Sequence, residues 1–210
     1  MRKASKMKKF MLMGILAAFV LGTTACGTEE TSTEEKLVNS ISIMKDGSIE
    51  SVIVEDFTES YYNVEDLKTM IQDTITDYGK QDPDSEITLE TCEMVDQKIK
   101  VVLNYNNADA YSGYNSETLF AGTVQEAYAE GYDLNMTLTG TDTEGTQIAR
   151  QELLNMGENH IVIMENVLKE GTLRVNCYDT ILYTGDGVTP IAKKKADIGL
   201  TQGYSVIVFK

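Results

Sequence analysis

The sequence predicts an α+β fold in which antiparallel β-hairpins carry a few short helices packed on the sheet, with a β-rich C-terminal part. Three observations lead to this prediction. An Asp-Gly pair at residues 46–47 lies between two apolar runs, which is typical of a hairpin turn. Apolar residues between Val64 and Tyr78 recur at spacings of three and four, which indicates an amphipathic helix. The regular alternation of strands and helices that a long parallel sheet requires is absent.

The first predicted elements are a hairpin and a helix. Strands are expected at 41–43 and 49–54, on the two sides of the Asp-Gly turn. Asn63 stands where an N-cap belongs, because two acidic residues follow it in the first turn of the expected helix. We expect Gly79 to close this helix as its C′ residue.

The middle of the chain is expected to contain a second hairpin, two helices and a strand between them. The hairpin turn is placed at Asp96-Gln97, and Thr123 is the expected N-cap of the next helix. Gly157 is expected to end the helix after that one. The predicted elements are strands at 87–89 and 99–103, a helix at 123–129, a strand at 134–138 and a helix at 148–156.

The last fifty residues have mostly the pattern of strands. Alternating apolar residues predict strands at 161–163, 173–175, 181–183 and 206–209. Asp186-Gly187 offers a further hairpin turn after the third of these strands.

The first 25 residues have the order of a secretory signal peptide. Five basic residues precede an apolar run from Phe10 to Leu21, and four small residues then lead to Cys26. A small residue directly before the cysteine, here Ala25, is typical of a lipoprotein cleavage site. The sequence therefore predicts that Cys26 is lipidated and anchors the mature chain in the cell membrane, facing outside the cytoplasm.

Two other interpretations of this segment stay open. A lipoprotein signal usually has an aliphatic residue three positions before the cysteine, whereas Thr23 occupies that position here and Leu21 lies five before. An ordinary secretory signal cleaved near Ala25 would leave the same cysteine without lipid. An uncleaved anchor is disfavoured, because a spanning helix needs about 20 apolar residues and this run is shorter.

The remaining chain divides into a tether and one folded domain. Residues 26–39 are expected to be the lipidated cysteine and a flexible acidic tether, because Glu and Thr dominate them and almost no apolar side chain is present. The mean reach of such a tether is about 20 Å. Residues 40–210 are expected to form a single α+β extracytoplasmic domain, long enough to bury a core without disulfides.

The charge balance excludes several partners. The chain has 33 acidic and 18 basic residues, and its formal net charge is −15. Such a surface repels phosphate backbones and anionic headgroups, so we expect no nucleic-acid binding and membrane attachment through Cys26 alone. The basic cluster Lys193-Lys194-Lys195 is interpreted as a charged strand or loop that discourages edge pairing.

Catalytic and metal sites are not expected. His160 is the only histidine, and no Gly-x-Ser-x-Gly elbow places a serine beside it. The sequence contains no glycine-rich phosphate loop, dinucleotide fingerprint or EF-hand loop. We therefore predict a protein that is not an enzyme and holds no metal or cofactor. Cys92 and Cys177 are expected to be small buried hydrophobes, with a disulfide between them as the open alternative.

One segment combines residue types that bind ligands. Residues 104–115 concentrate tyrosines, amides and a carboxylate without helical periodicity, so we expect a loop. Tyrosine rings together with Asn and Asp hydrogen bonds suit a platform for a sugar or peptide. The alternative is that the tyrosines pack onto the sheet while the amides cap turns. The candidate ligand-binding residues are Tyr105, Asn107, Asp109, Tyr111, Tyr114 and Asn115.

Several segments resemble small uncharacterised lipoproteins of Gram-positive anaerobic bacteria. They are the signal segment with Cys26, the run Ile-Met-Lys-Asp-Gly-Ser-Ile at 43–49, residues 119–124 with Gly131-Tyr132, and residues 181–183 with 185–187. The resemblance implies a cell-surface lipoprotein. It supplies no catalytic residue, because these segments are turns and strands.

The sequence favours a lipid-anchored, non-catalytic binding or interaction domain whose partner is a glycan, a peptide or an envelope protein. An accessory subunit of a cell-envelope complex is the second hypothesis, and a hydrolase with an unrecognised site is the third. A concave pocket with converging polar groups would favour the first, an exposed apolar patch the second, and clustered acids with raised pKa values the third.

Overall fold

The computed structural model describes residues 37–142, 144–165, 171–201 and 203–210. Within these residues there are four helices, α1 (Val64–Gln81), α2 (Ala108–Asn115), α3 (Val124–Ala129) and α4 (Arg150–Leu154). The strands are β1 (Ser40–Ile43), β2 (Ile49–Asp56), β3 (Ile87–Val95), β4 (Lys98–Tyr105), β5 (Leu119–Thr123), β6 (Leu138–Gly140), β7 (Gln147–Ile148), β8 (His160–Glu165), β9 (Leu173–Asn176), β10 (Ile181–Thr184), β11 (Val188–Ala192), β12 (Lys195–Ile198) and β13 (Tyr204–Phe209).

The strands form two sheets. Sheet A has the order β11-β12-β9-β1-β2-β4-β3, and sheet B has the order β5-β8-β13-β10-β6-β7. Among the described strands, β1 and β9 form the one parallel pair, and the other pairs are antiparallel. The predicted α+β class is confirmed.

Sheet B is buried on both faces. Along β8, Val162 and Met164 belong to the core shared with sheet A, whereas Ile161 and Ile163 belong to the core shared with α3 and α4. The side chains of β13 alternate between the two cores in the same way. Burial on both faces explains why these two strands are continuous apolar runs.

Sheet A is buried on one face. Its inner face packs on sheet B and on α1, whose Leu67, Ile71 and Ile75 are partly buried against the same core. Apart from Val52, Val54 and Val102, its outer face is polar. The Nδ2 of Asn176 donates to Ser42 Oγ at 3.1 Å, and that hydroxyl donates to a carboxylate oxygen of Glu50 at 3.4 Å. One polar and one apolar face account for the alternating pattern of β1 and β2.

The two predicted hairpin turns at 46–47 and 96–97 and the predicted N-caps Asn63 and Thr123 are confirmed. Gly47 has a φ of +87°, and Asp96 and Gln97 have φ values of +49° and +66°, as a tight hairpin turn requires. The Oδ1 of Asn63 accepts from the N–H groups of the first turn of α1. Thr123 and the third residue of α3 form a capping box.

Two helix predictions were wrong at their ends. Gly79 lies inside α1, which continues to Gln81, and the N–H of Asp82 donates to the Tyr78 carbonyl at 2.9 Å. One glycine inside an 18-residue helix costs only about 1 kcal/mol, so the tertiary contacts of α1 outweigh it. The helix predicted at 148–156 is only α4, because Ile148 belongs to β7 and residues after Leu154 form turns.

Three further predictions were wrong about connections. Residues 104–115 end in the helix α2 and do not form a loop. Only Leu138 of the strand predicted at 134–138 lies in a strand, although Leu134 is also buried. Asp186-Gly187 makes a turn but not a hairpin, because it joins β10 of sheet B to β11 of sheet A.

Cys92 and Cys177 are free thiols, and no disulfide joins them. Both pack against the core between the sheets, and burial raises the pKa of the Cys177 thiol to about 12. The signal segment, Cys26 and the tether up to residue 36 lie outside the described residues. None of the described helices is long and apolar enough to cross a membrane.

Candidate functional site

The tyrosines of the predicted ligand platform lie mostly in the core. Tyr105 is 1% exposed and Tyr111 is 5% exposed, whereas Tyr114 is half-buried. Tyr105 is on the inner face of β4, where its partner in β2 is the fully buried Ile49. A ligand at the surface therefore cannot stack on Tyr105 or Tyr111.

These rings form a buried tyrosine cluster that joins β4 to α1 and α2, consisting of Tyr78, Tyr105, Tyr111 and Tyr114. The centroid distances are 5.2 Å between Tyr105 and Tyr111, 6.0 Å between Tyr105 and Tyr114, and 5.6 Å between Tyr78 and Tyr114. All three contacts are edge-to-face, the favoured geometry for aromatic pairs. Burial raises the pKa of Tyr105 and Tyr111 far above the ordinary tyrosine value.

The predicted amides serve the same local structure. The Oδ1 of Asn107 accepts from the Ala110 N–H at 2.8 Å and caps α2. The Nδ2 of Asn115 donates to the Tyr111 carbonyl at 2.9 Å and to the Tyr105 hydroxyl at 3.2 Å. Asp109 is exposed in the first turn of α2. Tyr105 and Tyr111 thus follow the packing alternative, and ligand contact stays a prediction for the exposed or half-buried members, Asn107, Asp109, Tyr114 and Asn115.

A half-buried carboxylate, Glu117, lies beside this cluster. The Tyr111 hydroxyl donates to Glu117 Oε2 at 3.1 Å. Burial raises the pKa of the Glu117 carboxyl, the hydrogen bond from Tyr111 opposes the rise, and the negative charge of Glu165 adds to it. Sequence analysis missed Glu117, because burial after a short helix leaves no signal in the sequence.

A second group of aromatic rings, which the sequence analysis passed over, is exposed. We call Phe57, Tyr61 and Tyr62 the aromatic corner. Tyr61 is 75% exposed and Tyr62 is 44% exposed. The ring of Tyr62 stacks on Phe57 at a centroid distance of 4.6 Å. The edge contact between the rings of Tyr61 and Tyr62 has a centroid distance of 4.9 Å and an interplanar angle of 72°.

Backbone hydrogen bonds hold the aromatic corner between β2 and α1. The Phe57 N–H donates to the Gln97 carbonyl at 3.0 Å, which ties it to the β3–β4 turn. The Tyr62 N–H donates to the Glu59 carbonyl at 3.0 Å. The next residue, Asn63, is the N-cap of α1. The segment is thus fixed at both ends by the elements it connects.

An open groove of about 780 Å³ runs between β10 of sheet B and the edge strand β11 of sheet A. Two basic residues, Lys193 and Lys210, and the acidic Asp142 are among the residues that line it. The Thr141 hydroxyl donates to the Ile181 carbonyl at 2.7 Å and ties the β6–β7 turn to the wall. The lining residues are Thr141, Asp142, Met156, Thr180, Ile181, Leu182, Tyr183, Pro190, Ile191, Ala192, Lys193 and Lys210.

The β11 edge of the groove offers acceptors but few donors. The Gly199 N–H donates to the Gly187 carbonyl at 2.8 Å. Because hydrogen-bonded and non-bonded pairs alternate along an antiparallel ladder, Val188 and Pro190 are then in non-bonded pairs. Their backbone groups therefore point away from β12. Pro190 has no N–H, and the Val188 N–H already donates to Gly185. An added β-strand would therefore lack donors on this edge.

The groove and the chain entry lie at opposite ends of sheet A. The Oδ1 of Asn39 accepts from the Val54 N–H at 2.6 Å, so the chain enters beside the end of β2 and next to the aromatic corner. β9 runs parallel to β1, and beyond its far end the Cys177 N–H donates to the Lys194 carbonyl at 2.8 Å. The groove, and the turn at Lys193 and Lys194 between β11 and β12, therefore lie at the end of sheet A away from Asn39.

The remaining reactive groups do not converge. The His160 ring packs against Tyr178 and Phe209 at centroid distances of 5.3 and 5.4 Å, as an aromatic member of the core edge. In the part of the chain that the structure describes, no three His, Cys, Asp or Glu side chains are placed to hold a metal ion.

The two carboxyls whose pKa burial raises, Glu55 and Glu117, lie apart. Tyr111, which bonds Glu117, packs beside the end of β2 that begins with Ile49. Glu55 is six residues further along this strand, which corresponds to about 20 Å. The two carboxyls are therefore too far apart to act as one acid–base pair.

Comparison of the chain with protein-family models, with curated proteins and with solved structures finds no significant match.

Proposed function

We propose that this chain is a lipid-anchored lipoprotein of the cell membrane, facing outside the cytoplasm, whose folded domain binds a partner without catalysis. The groove between β10 and β11 is the binding site in this proposal. The signal segment and Cys26 supply the anchor, and the residues between Cys26 and Asn39 supply the tether. The proposed partner is a glycan, a peptide or an envelope protein.

The observation that carries the proposal is the position of the groove. The chain enters the domain at Asn39, whereas the groove lies at the far end of the strands. A tether with a mean reach of about 20 Å would hold the entry end towards the membrane. The groove would then open away from the membrane, where an extracellular partner can reach it.

The chemistry of the groove indicates that the partner binds through a short, compact segment and does not add a β-strand to β11. Its edge lacks backbone donors, which disfavours strand addition, and the exposed side chains of Pro190 and Ile191 give it an apolar side. Lys193 and Lys210 place two positive charges in a chain whose formal net charge is −15. These features suit a segment that combines an apolar group with a carboxylate or phosphate.

The distribution of acids supports binding more than hydrolysis. A hydrolase that uses two carboxyl groups needs them within one cleft. Here the carboxyls with raised pKa values lie apart: Glu55 belongs to β2, Glu117 lies between α2 and β5, and neither lines the groove.

Position-specific cross-linking in cells tests the proposal. The full chain would carry a photoreactive amino acid at Ile191, in the groove, or at Met70, which is 43% exposed on α1. We expect a discrete cross-linked product in the membrane fraction from position 191 and none from position 70. Cys26→Ser should move the chain out of the membrane fraction.

The outcomes separate the two parts of the proposal. Equal products from both positions, or none from position 191, would show that the groove is not the binding site. Retention of the Cys26→Ser chain in the membrane fraction would overturn lipid anchoring. A product of fixed size containing another envelope protein would identify the domain as an accessory subunit.

A further inference from the structure

The aromatic corner is an exposed surface that the folding of the domain does not explain. Within the described residues, Tyr61 has the highest exposure among the large apolar side chains, at 75%. Its neighbour Tyr62 is 44% exposed, and the two rings touch. Single exposed aromatic residues are common, but adjacent exposed rings are a feature of contact surfaces.

The corner has a fixed shape. Phe57 lies against one face of Tyr62 with an interplanar angle of 26°, which braces that ring. The ring planes of Tyr61 and Tyr62 are 72° apart. A small saturated ring can place one face on Tyr61 and one edge against Tyr62.

The polar groups around the corner are acceptors. Glu59 lies in the same segment and is exposed, and Asp56 at the end of β2 is paired with the Lys98 ammonium. The neighbouring Tyr62 side chain raises the pKa of the Tyr61 hydroxyl, so Tyr61 stays a neutral phenol at neutral pH. Carboxylates and phenol hydroxyls accept hydrogen bonds from alcohol groups.

The charge at this end of the domain argues against an anionic bilayer as the partner. Exposed tyrosines also suit a membrane interface, and the chain enters the domain close by. However, acids outnumber lysines around this segment, and the Lys98 ammonium is paired with Asp56. The acids are Glu55, Asp56, Glu59, Glu65 and Asp66, and the lysines are Lys68, Lys98 and Lys100. Anionic headgroups would therefore be repelled, whereas a neutral ligand would not.

We propose that the aromatic corner binds neutral, hydroxyl-rich sugar rings. The C–H face of a sugar lies on the Tyr61 ring and its edge meets Tyr62, while hydroxyl groups donate to Glu59 and to the phenol oxygens. This site is separate from the groove and does not depend on the anchor. Because it takes only one or two sugar rings, it suits repeated weak contacts along a polysaccharide.

A single tryptophan makes the test direct, because the chain contains no Trp. Tyr61→Trp places a fluorescent ring in the corner, and Tyr128→Trp places one on α3, where Tyr128 is 53% exposed. Both purified chains would be titrated with maltohexaose and with the hexamer of β-1,4-linked N-acetylglucosamine. We expect a saturable emission shift from position 61 with at least one oligosaccharide and no shift from position 128.

Calorimetry with the otherwise unchanged chain supplies the second measurement. Tyr61→Ala should weaken binding of that oligosaccharide at least tenfold, and Glu59→Gln should weaken it less, because only one acceptor charge is removed. Both positions are exposed loop residues, so the unfolding curve should stay unchanged and serves as the folding control.

Two results would overturn the proposal. If neither oligosaccharide shifts the emission from position 61, the corner does not bind neutral sugars. If phosphatidylcholine vesicles shift the emission to shorter wavelength while the oligosaccharides do not, the corner is a membrane contact.

Discussion

The buried tyrosine cluster and the aromatic corner contain the same residue type and differ in what surrounds it. Tyr105 lies on the inner face of a central strand, opposite Ile49, and is 1% exposed. Tyr61 lies in the connection between a strand and a helix and is 75% exposed. The difference teaches that a tyrosine-rich segment indicates binding only where no sheet face or helix covers the rings. Around Tyr105, α1 and α2 supply that cover.

The largest expected difference between the two groups is in stability. Tyr105→Ala and Tyr111→Ala should each lower the free energy of unfolding by about 3–5 kcal/mol, because each removes a buried ring and leaves a cavity. Tyr61→Ala should change it by less than about 0.5 kcal/mol. Denaturant unfolding of the three variants measures both values.

The same series contains a way to break the comparison. If Tyr61→Ala destabilises the chain as much as Tyr105→Ala, the corner is part of the core and its exposure has no functional meaning. Tyr105→Phe keeps the ring and removes only the hydroxyl that accepts from Asn115. It should lower the free energy of unfolding by about 1 kcal/mol. A loss close to that of Tyr105→Ala would show that the hydrogen bond, and not the buried ring, supplies the stability.

The contact between Gly113 of α2 and Tyr78 of α1 provides a second test of the buried tyrosine cluster, with a smaller expected change in stability. A Cβ at Gly113 would lie 2.1 Å from the Tyr78 hydroxyl oxygen, so Gly113→Ala must displace that ring from Tyr114. We expect a net loss of about 1 kcal/mol, because overpacking costs about 1–3 kcal/mol and the gain in helix propensity is smaller. Thermal unfolding measures the change.

Two further variants provide the matched controls. A Cβ at Gly79 meets nothing within 4 Å, so Gly79→Ala should stabilise the chain by about 0.5–1 kcal/mol. In a Tyr78→Phe chain the hydroxyl that blocks the new Cβ is absent. Gly113→Ala should then no longer lower the free energy of unfolding. A loss of stability that persists there would place the strain in the α2 backbone and not in the tyrosine cluster.

The elements that the sequence predicts well are those whose signals are local. The Asp96-Gln97 turn, the Asn63 cap and the capping box at Thr123 depend on residues within four positions of one another. The parallel pairing of β1 with β9 joins residues more than 130 positions apart, since Asn176 bonds Ser42. Nothing in either short strand specifies the other, so this pairing and the two-sheet arrangement could not be predicted.

The candidate site follows the same division. The composition of residues 104–115 indicated a concentration of tyrosines, but their burial depends on contacts with distant parts of the chain. Tyr105 lies opposite Ile49 of β2, and Tyr114 meets Tyr78 of α1. The groove depends on β10 and β11 belonging to different sheets. The Asp186-Gly187 turn between them suggested a hairpin, because a turn sequence does not specify the sheet into which the chain continues.

The smallest expected effect concerns the pH dependence of the buried cluster. Burial raises the pKa of Glu117, so the folded chain keeps its proton to a higher pH than the unfolded chain does. The stability that this protonation contributes is complete below the unfolded pKa of about 4.3 and is lost as pH rises through the folded pKa. Glu117→Gln should therefore remove a fall in stability across this interval, measured by urea unfolding at several pH values.

Tyr111→Phe should have the opposite effect on the same measurement. The Tyr111 hydroxyl donates to Glu117 and thereby lowers its pKa, partly offsetting burial. Without that donor the pKa of Glu117 should rise further, and the fall in stability should extend to higher pH. Unchanged curves for both variants would show that the carboxylate is solvated in the folded chain. A fall that disappears in one variant and widens in the other would establish that the Tyr111 hydroxyl controls the charge of Glu117 inside the folded domain.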